Sequence, residues 1–301
     1  WGFPDFDEHE GVHLFSDRET GLQAVIAVHS TKLGPAAGGV RFWHYADSAA
    51  AITDALRLSR GMSYKNAMAG LPMGGGKGVI LADPARTKTP AMLEAFGRAV
   101  DSLGGRYITA EDVGIAEADM IAIATATRYV SGLPAEGEKV GGDPGPYTAK
   151  GIYLGLRAAA KRALGTDDMK GVRVAVQGLG SVGGRLAQML AADGAVLTVA
   201  DVDAARAQRF AEQHGATLVA PDAILASEVD IVSPNALGAI LDARTINSLR
   251  CKAVAGGANN QLAAPDDGAR LHDRGILYAP DYVINAGGII NVALEYLGQG
   301  D

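Results

Sequence analysis

Short apolar runs alternate with helical stretches through the second half of the chain, and this alternation limits the fold more than any other feature. The runs have the length of buried strands, and the stretches between them have helical spacing. We expect strands at 172–177, 195–200, 229–232, 251–255 and 276–279, with helices at 182–192 and 203–214. Parallel strands joined through helices form a sheet that is covered on both faces. The second half is therefore predicted to be a Rossmann-type α/β domain.

The stretch 178–183, Gly-Leu-Gly-Ser-Val-Gly, directly follows the first of these strands and opens the first helix. It fits G-x-G-x-x-G, whose glycines allow a tight turn and let a pyrophosphate reach the helix N-terminus. The residues expected to contact the dinucleotide here are Gly178, Gly180, Ser181, Val182 and Gly183. Asp201 ends the next strand, where a carboxylate accepts hydrogen bonds from the adenosine ribose and would repel a 2′-phosphate. NAD is therefore favoured over NADP. The alternative interpretation of residues 178–183 is a tight turn that binds no ligand.

A second glycine-rich stretch, residues 70–78, reads Gly-Leu-Pro-Met-Gly-Gly-Gly-Lys-Gly. It predicts a tight glycine turn that carries Lys77 just before a short buried strand. Lys65 lies twelve residues earlier, and Asp112 follows another short strand. A lysine buried close to a second cation has a lowered pKa, so one lysine could hold a carboxylate while the other works as a base. Asp112 could then carry protons to and from an amino nitrogen. Two solvated surface lysines are the alternative.

The first half also alternates strands and helices but lacks a nucleotide fingerprint. We expect strands at 21–29 and 106–109, a loop of small residues at 33–39, and helices at 48–61, 89–103 and 117–127. Residues 131–146 are rich in Gly and Pro, as hinges between domains are. The predicted fold is thus an N-terminal α/β domain for substrate binding and catalysis, residues 1–131, and a Rossmann NAD-binding domain, residues 132–301. A cleft between them is expected to hold the site.

Composition excludes several classes of function. The net charge of −7, from 34 acidic and 27 basic side chains, argues against a nucleic-acid partner. No uncharged apolar stretch of 18 or more residues and no signal-peptide pattern are present, so we expect a cytoplasmic protein without a membrane partner. Cys251 is the single cysteine, which rules out an intrachain disulfide. No metal site is expected.

Motifs that run through nearly the whole sequence resemble those of one known family. They are residues 33–39, 56–66, 71–78, 107–114, 143–149, 178–183, 258–262 and 279–288. In this order they resemble the glutamate/leucine/phenylalanine/valine dehydrogenases, most of all the leucine and phenylalanine members. The resemblance implies reversible, NAD-dependent oxidative deamination of an L-amino acid to a 2-oxo acid and ammonia, in a homo-oligomer with oligomerisation through the first domain.

The same resemblance implies a role for each matching residue. Lys65 would bind the substrate carboxylate, and Lys77 would activate the water that attacks the imine and stabilise the carbonyl oxygen. Asp112 would be the proton shuttle to the amino group. Asn259 would help to position nicotinamide and substrate, and Thr148 would hold the nicotinamide carboxamide. Two small residues, Gly38 and Gly39, would let the backbone approach the substrate.

The substrate side chain is expected to be hydrophobic. Ala37 stands where glutamate-specific members place a lysine and leucine members a leucine, so it offers neither a cation nor bulk. Ala110, and Val283 with residues 285–292, are expected to line the same pocket. A branched-chain or aromatic amino acid is therefore predicted, and the larger space favours a bulky side chain. The same chemistry on glutamate or an unusual amino acid is one alternative. The other is a non-catalytic NAD-binding protein, which would be expected to have lost Lys65, Lys77 or Asp112.

Three departures from the family pattern stand out. Tyr147 replaces a valine that is frequent in leucine-type members, and Asn235 replaces a common cysteine, so no thiol chemistry attaches to that position. Family members continue with helices that return to the first domain, whereas the sequence ends at Asp301. By comparison with the family pattern, we expect these return helices to be absent.

Overall fold

The computed structural model describes residues 2–3, 5–83, 88–133 and 143–298. Contacts within the chain divide it into two compact units, Trp1–Pro144 with Ile289–Asp301, and Gly145–Gly288. The expected boundary at 131/132 stays a prediction, while the division by contacts falls after Pro144 and returns the last residues to the first unit. Part of the Gly- and Pro-rich segment, residues 134–142, lies outside the described residues.

The first unit contains a five-stranded mixed sheet with the order β1-β2-β4-β3-β5. Its strands are β1 (Gly11–Asp17), β2 (Leu22–Ser30), β3 (Ala36–Trp43), β4 (Gly74–Leu81) and β5 (Tyr107–Ala110). Its helices are α1 (Ser48–Met68), α2 (Pro90–Asp101) and α3 (Glu117–Ala124). Strand β2 runs antiparallel to both β1 and β4, and β3 runs parallel to β4 and β5. Strand β4 is therefore the central strand of the sheet.

Alternate residues of the sheet face two different helical layers. Ile26 of β2 and Ile80 of β4 belong to the core that includes Phe96 of α2. On the opposite face, Val25 and Val79 pack with small and apolar residues of α1. Helix α2 begins where the sequence predicts it, because the Thr89 hydroxyl accepts a hydrogen bond from the Met92 amide and proline occupies the first turn.

The predicted glycine turn at Lys77 was wrong, because β4 begins at Gly74 and Lys77 lies within it. In this stretch only Gly70, before the strand, has a positive φ, of 68°. The other glycines are needed for close packing. A Cβ on Gly75 would lie 2.2 Å from the Ser63 amide nitrogen of α1, and one on Gly76 would lie 2.6 Å from the Tyr107 ring. The glycines therefore let a helix and an aromatic ring lie against the strand backbone.

Two further expectations for the first unit were wrong. The residues expected as a loop at 33–39 include the start of β3, whose glycines hid the strand because they carry no side chain. The helix expected to end at residue 61 continues to Met68, and it therefore includes Lys65. Helix α1 and strand β3 thus carry more of the predicted site than the sequence suggested.

The second unit contains a six-stranded sheet with the order β11-β10-β9-β6-β7-β8, and each of its strand pairs is parallel. Its strands are β6 (Arg173–Gln177), β7 (Val196–Ala200), β8 (Thr217–Leu218), β9 (Ile231–Pro234), β10 (Ala253–Val254) and β11 (Leu277–Tyr278). Its helices are α4 (Gly145–Leu164), α5 (Ser181–Ala192), α6 (Ala204–His214), α7 (Ala243–Ser248), α8 (Asp267–Asp273) and α9 (Asp281–Ile284). The Rossmann-type α/β architecture predicted from the sequence is confirmed.

Helix α10 (Gly287–Leu297) begins in the second unit, and its residues from Ile289 onward group with the first. The Glu295 carboxylate accepts hydrogen bonds from the Gly132 and Leu133 amides at 3.0 and 3.1 Å. The last helix is thereby fixed to the segment that follows α3. Within the described residues, none of the helices combines the length and the apolar character that a membrane span requires.

Candidate active site

A buried ion pair lies at the centre of the first unit. Lys77 is 5% exposed, and its Nζ donates a hydrogen bond to Oδ2 of Asp112 at 2.7 Å. Burial lowers the pKa of Lys77, the nearby Arg41 lowers it further, and the Asp112 carboxylate opposes both. A buried lysine without a partner is rare, because desolvation of the ammonium is costly. Strand β4 therefore presents an amine whose pKa is lower than that of a solvated lysine.

Arg41 is a member of this site that the sequence did not reveal. It lies on β3, and its Nε donates to the same Asp112 Oδ2 at 2.9 Å. Its Nη1 donates to Oδ2 of Asp54 on α1, also at 2.9 Å, and the Tyr45 hydroxyl donates to that oxygen at 2.5 Å. Burial would raise the pKa of Asp112, but Lys77 and Arg41 together hold it well below its usual range. In the sequence, Arg41 was visible only as an arginine just after residues 33–39, which were expected to form a loop.

Helix α1 places Lys65 on the same side of the helix as Asp54. The two residues are eleven positions apart, which is close to three turns of 3.6 residues. Asp54 contacts Arg41 of the sheet, so this side of α1 faces the sheet. Lys65 is half-buried near the C-terminal end of the helix. The predicted pair of lysines is therefore carried by two elements that pack directly on each other.

The predicted glycines Gly38 and Gly39 have structural reasons to lack a side chain. A Cβ on Gly38 would lie 1.9 Å from the Gly76 carbonyl oxygen. A Cβ on Gly39 would lie 2.3 Å from the Glu111 carbonyl oxygen and 2.9 Å from the Asp112 Cβ. Strand β3 can thus lie directly against the segment that carries Asp112. Their predicted part in substrate binding stays a prediction.

A small apolar pocket lies in the first unit beside these residues. It is lined by Ala37, Gly38, Met73, Ile108, Ala110, Ser131, Ile289, Val292 and Ala293. Ala37 and Ala110 were expected there, and Ala110 is two residues before Asp112. The hydroxyl of Ser131 is the polar side-chain group of the lining, and it has no hydrogen-bond partner among the described residues. The pocket walls thus carry no charged side chain.

Val283 was also expected to line this pocket. It lies on α9 in the second unit, where 38% of its surface is exposed, and it is not part of the pocket lining. Helix α10 instead supplies three apolar wall residues. Two of them, Ile289 and Val292, lie in the predicted range 285–292, and Ala293 follows it directly. A role for Val283 stays a prediction.

The fingerprint residues of the second unit form a tight turn between β6 and α5. Gly178 has φ of 87°, and a Cβ on Gly183 would lie 2.0 Å from the Gly178 carbonyl oxygen. Gly180 precedes the first turn of α5, and the space where its Cβ would lie is open. Ser181 and Val182 form the first turn, whose amides have no carbonyl partner within the helix. The open space and these amides together suit the pyrophosphate of a dinucleotide.

Asp201 follows β7 next to the fingerprint turn. Its Oδ2 accepts a hydrogen bond from the Leu179 amide at 2.6 Å, and its Oδ1 accepts one from the Asp203 amide at 2.8 Å. Arg206 of α6 lies 3.4 Å from Oδ2. Each carboxylate oxygen can accept more than one hydrogen bond, so Asp201 can still serve a ribose hydroxyl. Arg206 is only five residues after Asp201 in the sequence, and the structure brings the two side chains into contact.

Asn259 and Thr148 are far apart in the sequence of the second unit, but both lie against the segment 285–287. The Asn285 side-chain amide donates to Oδ1 of Asn259 at 2.8 Å and to the Gly257 carbonyl at 3.0 Å. Thr148 lies in the first turn of α4, and a Cβ on Gly287 would lie 3.2 Å from its amide nitrogen. Asn285 therefore orients the Asn259 side chain, a contact that the sequence did not reveal.

Two family models match most of the chain. Residues 9–129 match the model described as "Glu/Leu/Phe/Val dehydrogenase, dimerisation domain". Residues 202–300 match the model described as "Glutamate/Leucine/Phenylalanine/Valine dehydrogenase". The first match includes the buried ion pair, and the second includes Asn259.

Individual relatives are similar over nearly the whole chain. A leucine dehydrogenase of Thermoactinomyces intermedius is 53% identical over 97% of this chain and 79% of its own length. A valine dehydrogenase of Streptomyces albus is 49% identical over 96% of this chain and 80% of its own length. The crystal structure of L-tryptophan dehydrogenase from Nostoc punctiforme is similar with a TM-score of 0.77 and 45% identity, over 96% of this chain and 83% of that one.

Proposed function

The chain belongs to the Glu/Leu/Phe/Val dehydrogenase family, and from this premise we propose that it catalyses reversible, NAD-dependent oxidative deamination of a hydrophobic L-amino acid. The products are the 2-oxo acid, ammonia and the reduced cofactor. The observation that carries this proposal is the buried Lys77–Asp112 pair beside an uncharged pocket. One group can hold or release a proton there while the pocket takes an apolar side chain.

Asp112 and Lys77 handle the protons of the reaction in this proposal. Asp112 takes a proton from the substrate amino group through its Oδ1, since Oδ2 is already held by two cations. Bound NAD would supply the acceptor for the hydride of the α-carbon, and the substrate would then be an iminium ion. Neutral Lys77 takes a proton from the water that attacks the iminium carbon, and the resulting ammonium stabilises the new oxygen. Asp112 returns its proton to the amino group, which leaves as ammonia while the hydroxyl proton passes to solvent.

Lys65 holds the substrate α-carboxylate in this proposal. A fixed ammonium is a suitable partner for a carboxylate, and the pair would orient the α-carbon before reaction. The position of Lys65 on the sheet-facing side of α1 supports this assignment. Gly38 and Gly39, which carry no side chain, would let the substrate approach the backbone of β3.

The second unit holds the cofactor in this proposal. The amides of the first turn of α5 bind the pyrophosphate, and Asp201 binds the adenosine ribose. Thr148 holds the carboxamide and Asn259, oriented by Asn285, positions the nicotinamide. We assign NAD rather than NADP because Asp201 would lie against a 2′-phosphate. Its contact with Arg206 weakens this discrimination, so residual use of NADP is expected.

The pocket of the first unit supports a branched-chain aliphatic substrate. Its walls offer no cation for a γ-carboxylate, which argues against glutamate. Ala37 leaves room, but Met73, Ile108 and Ile289 also line the pocket and narrow it. We therefore place a leucine-like side chain first and an aromatic one second. A homo-oligomer through the first unit is also proposed, because the model that matches residues 9–129 is described as a dimerisation domain.

A panel of L-amino acids, assayed by reduced-cofactor formation with NAD and NADP side by side, tests this proposal. We expect the highest kcat/KM for a branched-chain amino acid with NAD, and little turnover of glutamate. Preference for glutamate would contradict the assignment of the pocket. Absence of turnover with every amino acid, although NAD binds, would favour a non-catalytic NAD-binding protein.

A further inference from the structure

A single oxygen atom of Asp112 accepts hydrogen bonds from two cations. Lys77 Nζ lies 2.7 Å and Arg41 Nε 2.9 Å from Oδ2. A buried carboxylate with one lysine as its partner would hold that lysine protonated, because removing the proton would leave an uncompensated charge. A general base must lose its proton during each turnover. The pair alone is therefore poorly suited to the role proposed for Lys77.

Arg41 supplies a second partner that keeps its charge. A guanidinium does not lose its proton at any working pH. Arg41 is also fixed from its other side, since its Nη1 donates to Asp54 at 2.9 Å and Tyr45 donates to the same Asp54 oxygen. The Arg41 side chain is 19% exposed, so solvent screens these contacts only in part. Asp112 thus keeps one bound cation whether Lys77 is charged or neutral.

We propose that Arg41 is a positioning residue of the deamination reaction, which holds the Asp112 carboxylate in place and allows Lys77 to release its proton. This proposal rests on the proposed function. With Lys77 neutral, the cluster of Arg41, Asp54 and Asp112 carries one net negative charge. Without Arg41 it would carry two, and Lys77 would bind its proton more tightly. Arg41 therefore acts through Lys77 and Asp112 and needs no contact with the substrate.

The groups around Lys77 fix the sign of the expected effect. Those carried by elements that pack on it are Asp112 after β5, Tyr107 on β5, Arg41 on β3, Tyr45 after β3, and Asp54 and Lys65 on α1. His29 of β2 is directed to the Ser63 hydroxyl of α1, at 2.7 Å. The Tyr107 hydroxyl donates to the Gly38 carbonyl, and burial raises its pKa, so it stays neutral. Removal of Arg41 should therefore make Lys77 hold its proton more tightly, and removal of Asp54 should make it hold the proton less tightly.

The pH dependence of kcat for deamination in two opposed variants tests this proposal. Arg41→Met removes a positive charge, so the acidic limb of the profile should move to higher pH by about one unit, with about a tenfold loss near neutral pH that largely recovers in alkali. Asp54→Asn removes a negative charge, so its limb should move to lower pH. Arg41→Lys restores the charge and should return the limb most of the way to that of the wild type.

Each result of this experiment has a defined meaning. Opposite shifts of the two limbs support the proposal, whereas structural damage would lower kcat at every pH and leave both limbs in place. Such unmoved limbs, or shifts of the same sign, would overturn it. If Arg41→Met does not fold, the limb of Asp54→Asn still gives the sign of the electrostatic effect on Lys77. A wild-type protein that turns over no amino acid would instead refute the proposed function.

Discussion

Lys77 donates a hydrogen bond to Asp112 across 2.7 Å, from the middle of the central strand of the first unit. Both side chains are largely withdrawn from water, with 6% and 17% of their surfaces exposed. Charges that are removed from water interact more strongly than they would at the surface. A change at either residue should therefore alter both proton transfer and stability, and the two effects can be measured separately.

The stability of the protein should depend on the protonation of Asp112. Its pKa is lowered in the folded state, so the unfolded chain binds more protons in acid. The stabilisation is fully present above the ordinary carboxyl pKa, about 3.9, and is lost as pH falls through the folded-state value. The free energy of unfolding, measured in urea, should be lower at pH 3.5 than at pH 6. This loss should be smaller for Asp112→Asn than for the wild type by about 0.7 kcal/mol, because an ordinary carboxyl in the unfolded chain binds its proton with about that free energy at pH 3.5. An equal loss in both would contradict this, and the exposed Asp222→Asn serves as the control.

Gly75→Ala should destabilise the first unit. The added Cβ would lie 2.2 Å from the amide nitrogen and the hydroxyl of Ser63, and 2.4 Å from the Ser59 carbonyl oxygen. Helix α1 would have to move away from β4, at a cost of about 1–3 kcal/mol. The matched control is Gly268→Ala on α8, whose Cβ would meet only a side-chain carbon at 3.5 Å. Thermal unfolding that is unchanged in Gly75→Ala would show that the glycines do not serve close packing.

Gly183→Ala should weaken cofactor binding without disturbing the first unit. Its Cβ would lie 2.0 Å from the Gly178 carbonyl oxygen, so the fingerprint turn would have to open. We expect the Kd for NADH, measured by fluorescence titration, to rise at least about tenfold, or about 1.4 kcal/mol. The same Gly268→Ala variant is the control. Unchanged affinity would place the dinucleotide elsewhere.

Ala37→Leu should narrow the substrate pocket. Ala37 is buried and packs with Met73 and Ile108, so three added carbons must occupy the empty space. The kcat/KM for phenylalanine should fall relative to that for valine by at least about tenfold, since small changes of side-chain volume in a pocket are worth about 1–3 kcal/mol. The ratio of the two values corrects for any general loss of activity. An unchanged ratio would mean that this pocket does not hold the substrate side chain.

The fold of the second unit could be predicted more closely than that of the first. Strands such as β6 and β7 are short, mainly apolar runs bounded by glycine and acidic residues, so their position and length are visible in the sequence. Strands β3 and β4 contain adjacent glycines, which carry no side chain and so give no period. The sequence suggested turns there because glycine is common in turns. The actual reason for the glycines is close contact: those of β4 lie against Ser63 and Tyr107, and Gly39 of β3 lies against the Glu111 carbonyl.

The site was predictable where a motif carried it and hidden where tertiary contacts did. The resemblance identified Lys77 and Asp112, and the structure brings them together. Arg41 and Asn285 act by contact with other polar side chains, Asp112 and Asn259. Nothing in local spacing shows that an arginine 71 residues before a carboxylate will share it with a lysine. Such partners become visible only when the sheet register is known.

The role of the Lys77 amine in proton transfer is examined with a Lys77→Met variant. Methionine approximates the buried aliphatic stem and removes the amine. Turnover of the preferred amino acid by Lys77→Met should fall about 10³-fold or more, since general acid–base catalysis contributes about 10²–10⁴-fold. The exposed Lys32→Met serves as the control, and the Kd for NADH, measured on the same samples, should stay within about threefold of the wild type in both variants. A folded Lys77→Met protein that retains wild-type turnover would contradict the account.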